Sequence, residues 1–290
     1  MKTHLRSGSS PRYLLQTVEA QQPRPALWLV VVDRSDDGSL QWLQDATQGR
    51  PWLQTVAYPE APTEYLGAHI ARLKRFALEQ VMERSDDRGD GTRFAGVLDA
   101  DVELPVDHYA RLMEAFEKDA KLGVVSSLLQ VEQDGERRNE PFQRGDLPRG
   151  PTQFFRRACL DNIGGLPPFP GFDGAANVKA QMRGWRTQLL PHVKALHRRP
   201  TATRFGEAPG FARKGRYAWY LGVHPLLVAA RTLAYTRKAP HTAGYHFLRG
   251  WLQDAAKGVE RCPDPDVRMG YGSRRLWQAA RAFLGRGYQR

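Results

Sequence analysis

The chain has 290 residues, 41% of them hydrophobic and 26% charged. That balance excludes an intrinsically disordered polymer and leaves room for one large α/β domain, with or without an appendage. Lys and Arg number 43 against 31 Asp and Glu, so the net charge is +12, and the surface should attract polyanions such as nucleic acid, anionic lipid headgroups or phosphorylated small molecules. The two cysteines, Cys159 and Cys262, form no CxxC pair, which argues against zinc-ribbon and redox chemistry and for a reduced, cytosolic protein.

The opening residues, MKTHLRSGSSPRYLL, contain a short polar strand (KTHLRS) and lack the apolar core of a signal peptide, so a cytoplasmic location is expected. Ala26–Asp33, ALWLVVVD, is a continuous apolar run and reads as a strand buried on both faces. The turn RSDDGS follows it, and Trp52–Tyr58 is a second strand. Leu66, Ile70, Leu73, Ala77 and Val81 recur at helical spacing across Glu64–Met82. FAGVLD is a third strand, Pro105 opens a helix with Leu112, Met113 and Phe116 on its apolar side, and Leu122–Val131 is a fourth strand. This alternation predicts a mostly parallel central sheet flanked by helices.

Glu132–Arg149 is polar and rich in Gly and Pro, which predicts a mobile loop. A helix should run from about Arg156 to the Gly164–Gly165 pair, and another from Ala175 to Arg183 before Gly184. RTQLLPHVKALH reads as a strand pair or one bent strand. Beyond Pro200 the chain turns basic and aromatic, with helices expected at 217–237, 242–258 and 273–285. Residues 1–200 should therefore form the α/β domain and 201–290 a mainly helical extension.

Two strand ends carry acids. FAGVLDADVELP places Asp99 and Asp101 one residue apart, and in extended backbone i and i+2 point the same way. Ligands of parallel sheets gather at the carboxyl ends of strands. A close pair of carboxylates repels itself and suits a hard cation, Mg2+ or Mn2+. The plain alternative is a solvated turn that opens a helix with acids. The other strand end reads VVVDRSDDGS, with Asp33, Ser35, Asp37 and Gly38.

Together the two strand ends resemble family 2 glycosyltransferases of the GT-A fold, a Rossmann-like α/β architecture. The resemblance implies that Asp33, Ser35 and Asp37 hold the base and ribose of a nucleotide-sugar donor. It implies that Asp99 and Asp101 carry Mn2+ or Mg2+ and the donor diphosphate. Lys74, in LKRFAL, stands where the family carries a basic residue between these motifs, with Arg75 in place of Asn. QFFRRACLDNIGGLP resembles the acceptor-side segment of the family. Counting back from Gly184 places Asp173 at the position of the catalytic base, with Phe172 replacing the acid that usually precedes it. His197, closing PHVKALH, matches a histidine that assists the metal. A single base implies direct displacement and inversion at the anomeric carbon.

The C-terminal third resembles the tail of bacterial members that build surface polysaccharides, which implies a glycan, lipid-linked or other hydroxyl acceptor. Tyr217–Tyr235 is long enough to span a bilayer, but it holds Gly222, His224, Pro225 and Arg231. An arginine at mid-membrane costs roughly 2.5–3.5 kcal/mol, so peripheral contact at the inner face of a membrane is the better expectation. Packing on the main domain or on a second subunit is the alternative. Two further functions stay open: a transferase or binding protein acting on nucleic acid, suggested by the charge, and a nucleotidyltransferase, of whose phosphate loop Arg6–Ser10 is an echo.

Overall fold

The computed structural model describes residues 11–34, 38–61, 63, 65, 67–89, 91–133, 135–141, 143–198, 207–237 and 241–277. The expected strand KTHLRS, the Arg6–Ser10 echo, and Ser35 and Asp37 lie outside the described residues. The chain divides into two compact units. One comprises residues 1–63, 68–168 and 172–200, and the other 64–67, 169–171 and 201–290.

In the first unit, helix α1 (Pro11–Glu19) packs Leu14, Leu15 and Val18 beside Trp52 and Leu53. Strands β1 (Trp28–Val32) and β2 (Leu53–Ala57) form a two-stranded parallel sheet joined through α2 (Ser39–Thr47). Among the described residues, a second sheet has six strands: β3 (Phe94–Gly96), β4 (Val102–Glu103), β5 (Leu122–Gln133), β6 (Glu136–Asn139), β7 (Phe154–Arg156) and β8 (Arg186–His197). Its path is β3-β7-β5-β8-β4, with β6 paired to β5.

The helices-and-sheet layering agrees with the sequence reading, but the pairing is mixed. β5 and β8 run parallel, whereas β3–β7, β5–β7, β4–β8 and β5–β6 are antiparallel. Hairpins and returning segments, which helix-strand alternation does not reveal, account for the difference.

β5 organises the core because both of its faces are buried. Val124 packs with Leu78 and Met82 of α3 (Ala68–Asp87), Cys159 of α5 (Arg157–Asn162), its C-cap Ile163, and Ala176 of α6 (Phe172–Met182). Its neighbour Val125 faces Leu112 and Phe116 of α4 (His108–Lys118). Gly123 sits so close to Cys159 that a Cβ would meet its Sγ at 2.5 Å, which draws α5 tightly onto the strand. β8 is a single strand with a register shift opposite Ser127 and Leu128. That bulge answers the choice between a strand pair and a bent strand.

The segment expected to be a mobile loop is instead built. Gly135, at φ 77°, turns β5 into β6, and the Asp134–Gly135 pair is the sequence signal for such a hairpin. Farther on, the Gln143 amide mimics a strand residue: Leu129 N donates to its Oε1 at 2.8 Å, and its Nε2 donates to Leu129 O at 2.8 Å.

The second unit is helical, with α7 (Glu207–Tyr220), α8 (Pro225–Thr236), α9 (Ala243–Ala256) and α10 (Pro265–Met269). The single helix expected at 217–237 breaks, because Gly222 adopts φ 73° and His224 caps α8 with Pro225 behind it. The His224 side chain accepts from Leu226 N at 3.2 Å. α7 and α9 touch backbone to backbone: Gly215 meets Phe247 O and Gly250 meets Ala212 O, with no room for a Cβ at either. Asp254, 1% exposed, pairs with Arg216 at 2.9 Å across these helices. Gly270–Arg274 forms a π-helical turn, and most of the helix expected at 273–285 lies outside the described residues. Among the described residues, no helix is long and apolar enough to cross a membrane. α8 does expose Leu226 and Leu233, at 63% and 51%.

Candidate functional site

Helix α3 supplies partners to both acidic strand ends. Asp33, just past β1, accepts from Arg34 Nε at 2.8 Å and lies 2.7 Å from His69 Nε2. Arg34 achieves this bidentate grip in a left-handed backbone conformation, φ 49°. The Arg34 guanidinium, against partial burial and with help from His69, holds the Asp33 carboxyl at about 2, below the ordinary 3.8. Tyr58 braces the His69 ring edge-on at 5.4 Å.

One and a half turns along the same helix, Lys74 reaches Asp99. Its ammonium pairs with Asp99 Oδ1 and donates to Gly150 O at 3.2 Å, and it lies 5.0 Å from the centre of the Phe172 ring. His69 and Lys74 are five residues apart, about 7.5 Å along a helix axis. Asp33 and Asp99 are therefore both held by the first half of α3. Arg75 points elsewhere, with Nη1 donating to Leu166 O at 3.1 Å and Nε on Glu79.

Asp99 and Asp101 do not extend a strand. β3 ends at Gly96, although Val97 N still donates to Gln153 O and Asp99 N to Pro151 O. Pro151 has no N–H to return, so the ladder stops there. Val102 N then donates back to Asp99 O at 3.3 Å, closing a turn. In place of the aligned i, i+2 arrangement, the two carboxylates find different cations. Asp99 takes Lys74, and Asp101 lies 3.5 Å from His197 Nε2. β4 fixes the second contact by pairing Val102 with His197, and Arg198 N donates to Asp101 O at 2.9 Å.

Asp173 stands in the first turn of α6, where a carboxylate is favoured by the helix dipole. Its Oδ2 accepts from Gly150 N at 3.3 Å. Gly150 thus links Lys74, through its carbonyl, with Asp173, through its N–H. Its position is set by two serines that interrupt the apolar run of β5: Ser126 Oγ accepts from Arg149 N at 2.8 Å, and Ser127 Oγ is 2.9 Å from Thr152 Oγ1. Gln153, fully buried, donates to Asp173 O at 3.1 Å and to Asn177 Oδ1 at 2.9 Å. Sequence reading missed these supports. The polar pair inside VVSSLL was their signal.

His197 is 5% exposed and is flanked on its other nitrogen by Glu140, with 3.4 Å between Nδ1 and Oε2. Burial pulls the imidazole down, but the Asp101 and Glu140 carboxylates outweigh it and raise it from 6.5 to about 9. Among the described residues, no group of three or more His, Cys, Asp or Glu is placed to hold a metal ion. Asp99 is held by Lys74, so the donors the chain brings together for a cation would be an Asp101 oxygen and His197 Nε2, 3.5 Å apart. That donor set suits Mn2+ or Mg2+ with further positions left for phosphate oxygens.

No family model matches the chain, and no curated protein sequence does. Among solved structures it is similar to the mannosyltransferase PcManGT from Pyrobaculum calidifontis, in complex with GDP-Man and Mn2+. The TM-score is 0.53 at 17% identity, over 96% of this chain and 78% of that one. It also aligns with GalNAc-T7 in complex with UDP, GalNAc and Mn2+, at TM-score 0.49 and 14% identity, over 71% of this chain and 44% of that one. S. aureus TarS aligns at TM-score 0.48 and 14% identity, over 87% and 42%. At the first of these identities the likeness is one of fold: the chain has the α/β fold of a GT-A-like glycosyltransferase.

Proposed function

We propose that this chain is an inverting, divalent-metal-dependent glycosyltransferase that moves a sugar from a nucleotide-sugar to a hydroxyl acceptor. Residues 1–200 are the catalytic domain and 201–290 an extension in this reading. The observation that carries it is the convergence on α3: His69 holds Asp33, and Lys74 holds Asp99 and touches Gly150, which binds Asp173. The complexes of the mannosyltransferase with GDP-Man and Mn2+ support the choice of donor class and cation.

Asp33 seats the nucleoside, a role that the sequence also assigns to Ser35 and Asp37. Asp101 and His197 would hold the cation, which supplies charge neutralisation to a departing diphosphate. Lys74 is the second positive group at that end and screens the same charge. Asp173 takes the proton from the acceptor hydroxyl as its oxygen bonds to the anomeric carbon and the carbon–oxygen bond to the diphosphate breaks. The products are the glycoside, the nucleoside diphosphate and a proton on Asp173. Positioning and electrostatics provide most of the barrier reduction.

The test is a panel of nucleotide-sugars with Mn2+ or Mg2+, scored by thermal shift and by nucleoside diphosphate release. One donor should stabilise the protein, and chelator should abolish the effect. Transfer that continues undiminished in Asp173→Asn would remove the base assignment. A panel without any stabilising donor would remove the function.

A further inference from the structure

The exposed hairpin strand β6 ends at Asn139, and the next residue, Glu140, is buried, its side chain 3% exposed. A buried carboxylate is costly unless it is paired and hydrogen-bonded. Its partners include the His197 ring at 3.4 Å and Arg149 at 3.9 Å. The backbone around it is fixed: Glu140 N donates to Leu129 O at 2.9 Å, and Gln143 Nε2 donates to Glu140 O at 2.9 Å. His197 is thus held between two carboxylates, Glu140 on Nδ1 and Asp101 on Nε2.

We propose that Glu140 is a positioning residue: by accepting the Nδ1–H of His197, it fixes the ring so that Nε2 is presented beside Asp101 for a divalent cation. The inference rests on the metal-dependent reading given above. It extends the site to the residue that follows β6. A carboxylate on the far nitrogen of a metal-binding histidine sets the tautomer and ring angle, and losing such a partner typically costs about 10–100-fold in metal affinity.

Two conservative variants separate position from charge. Glu140→Gln keeps the reach and an acceptor oxygen but loses the charge. Glu140→Asp keeps the charge but is one methylene too short. Mn2+ titration of the full chain without donor, read by electron paramagnetic resonance, should show E140D weakened by about tenfold or more and E140Q within about threefold of the original. E140D binding as tightly as the original, or E140Q weakened as much as E140D, would overturn the positioning role. A melting temperature that falls in E140D while Mn2+ affinity holds would identify a purely structural residue and would also overturn it. The control is Asp101→Ala. If the original chain binds no Mn2+, or D101A binds it equally well, the metal reading itself fails. If D101A loses Mn2+ and E140D does not, Glu140 alone has been misassigned.

Discussion

Lys74 and Asp99 are unequally buried, with side chains 11% and 31% exposed, and the two halves of the pair should therefore cost different amounts to remove. Lys74→Met keeps the apolar stem and removes the ammonium. Asp99 then rehydrates, and the main loss is the hydrogen bond to Gly150 O, leaving a buried carbonyl short of a donor, worth about 1–2 kcal/mol. Asp99→Ala leaves the ammonium in a place with little access to water. Breaking a fully buried pair costs about 3–5 kcal/mol. The partial exposure of Asp99 reduces this to about 3 kcal/mol. The double variant should cost less than the sum by about 1 kcal/mol, because neither charge is then stranded. Urea unfolding followed by tryptophan fluorescence measures all three. If K74M cost more than D99A, or if the two losses simply added, the burial argument that places Lys74 inside the site would be refuted.

Four other outcomes follow from the same geometry. Gly150→Ala puts a Cβ 3.2 Å from both Cβ and Oδ2 of Asp173; it should reduce sugar transfer at least about tenfold with a stability loss near ~1 kcal/mol, checked by paired kinetics and melts. Ser127→Val strands the Thr152 hydroxyl and should lower the melting temperature by several degrees, equivalent to about 1–3 kcal/mol. Asp33 has a folded value of about 2, below its ordinary 3.8, so its stabilising effect is present above pH 3.8 and is lost as pH falls toward 2. Arg34→Met should therefore flatten the drop in urea midpoint across that window, and an unchanged slope would contradict the assignment. Cys159 and Cys262 are fully buried, and burial pushes the Cys159 thiol up to about 12. Neither should react with a thiol reagent until the protein is unfolded by urea.

The parts of the fold that rest on hydrophobic patterning were legible in the residues. WLVVV, FAG and LGVVSSLLQV announced buried strands, but on α3 the expected stripe was one position off: Ile70 is 45% exposed, whereas Ala71, Leu78 and Met82 are buried. The breaks in pattern carried the information that was overlooked. Ser126 and Ser127 sit inside an apolar strand because they tether the Arg149–Thr152 segment. Charge density made Glu132–Arg149 look like open loop, yet Gly135 turns a hairpin, and Gln143 and Glu140 are spent on interior partners. Strand direction was illegible because it depends on returns through such hairpins. For the candidate site, residue identity singled out Asp33, Lys74, Asp99, Asp101, Asp173 and His197. Their pairing was set by tertiary contacts that no spacing rule encodes, above all the approach of α3 that brings Lys74 to Asp99 and the β4–β8 pairing that brings His197 to Asp101.

Crystals grown with Mn2+ and a nucleoside diphosphate, measured at the manganese absorption edge, would test the central claim most directly. The account predicts one anomalous peak within ligating distance of an Asp101 oxygen and His197 Nε2, with the diphosphate on its open side and the nucleoside toward Asp33. A peak elsewhere on the molecule, or a nucleotide bound away from the α3 end of the sheet, would contradict it.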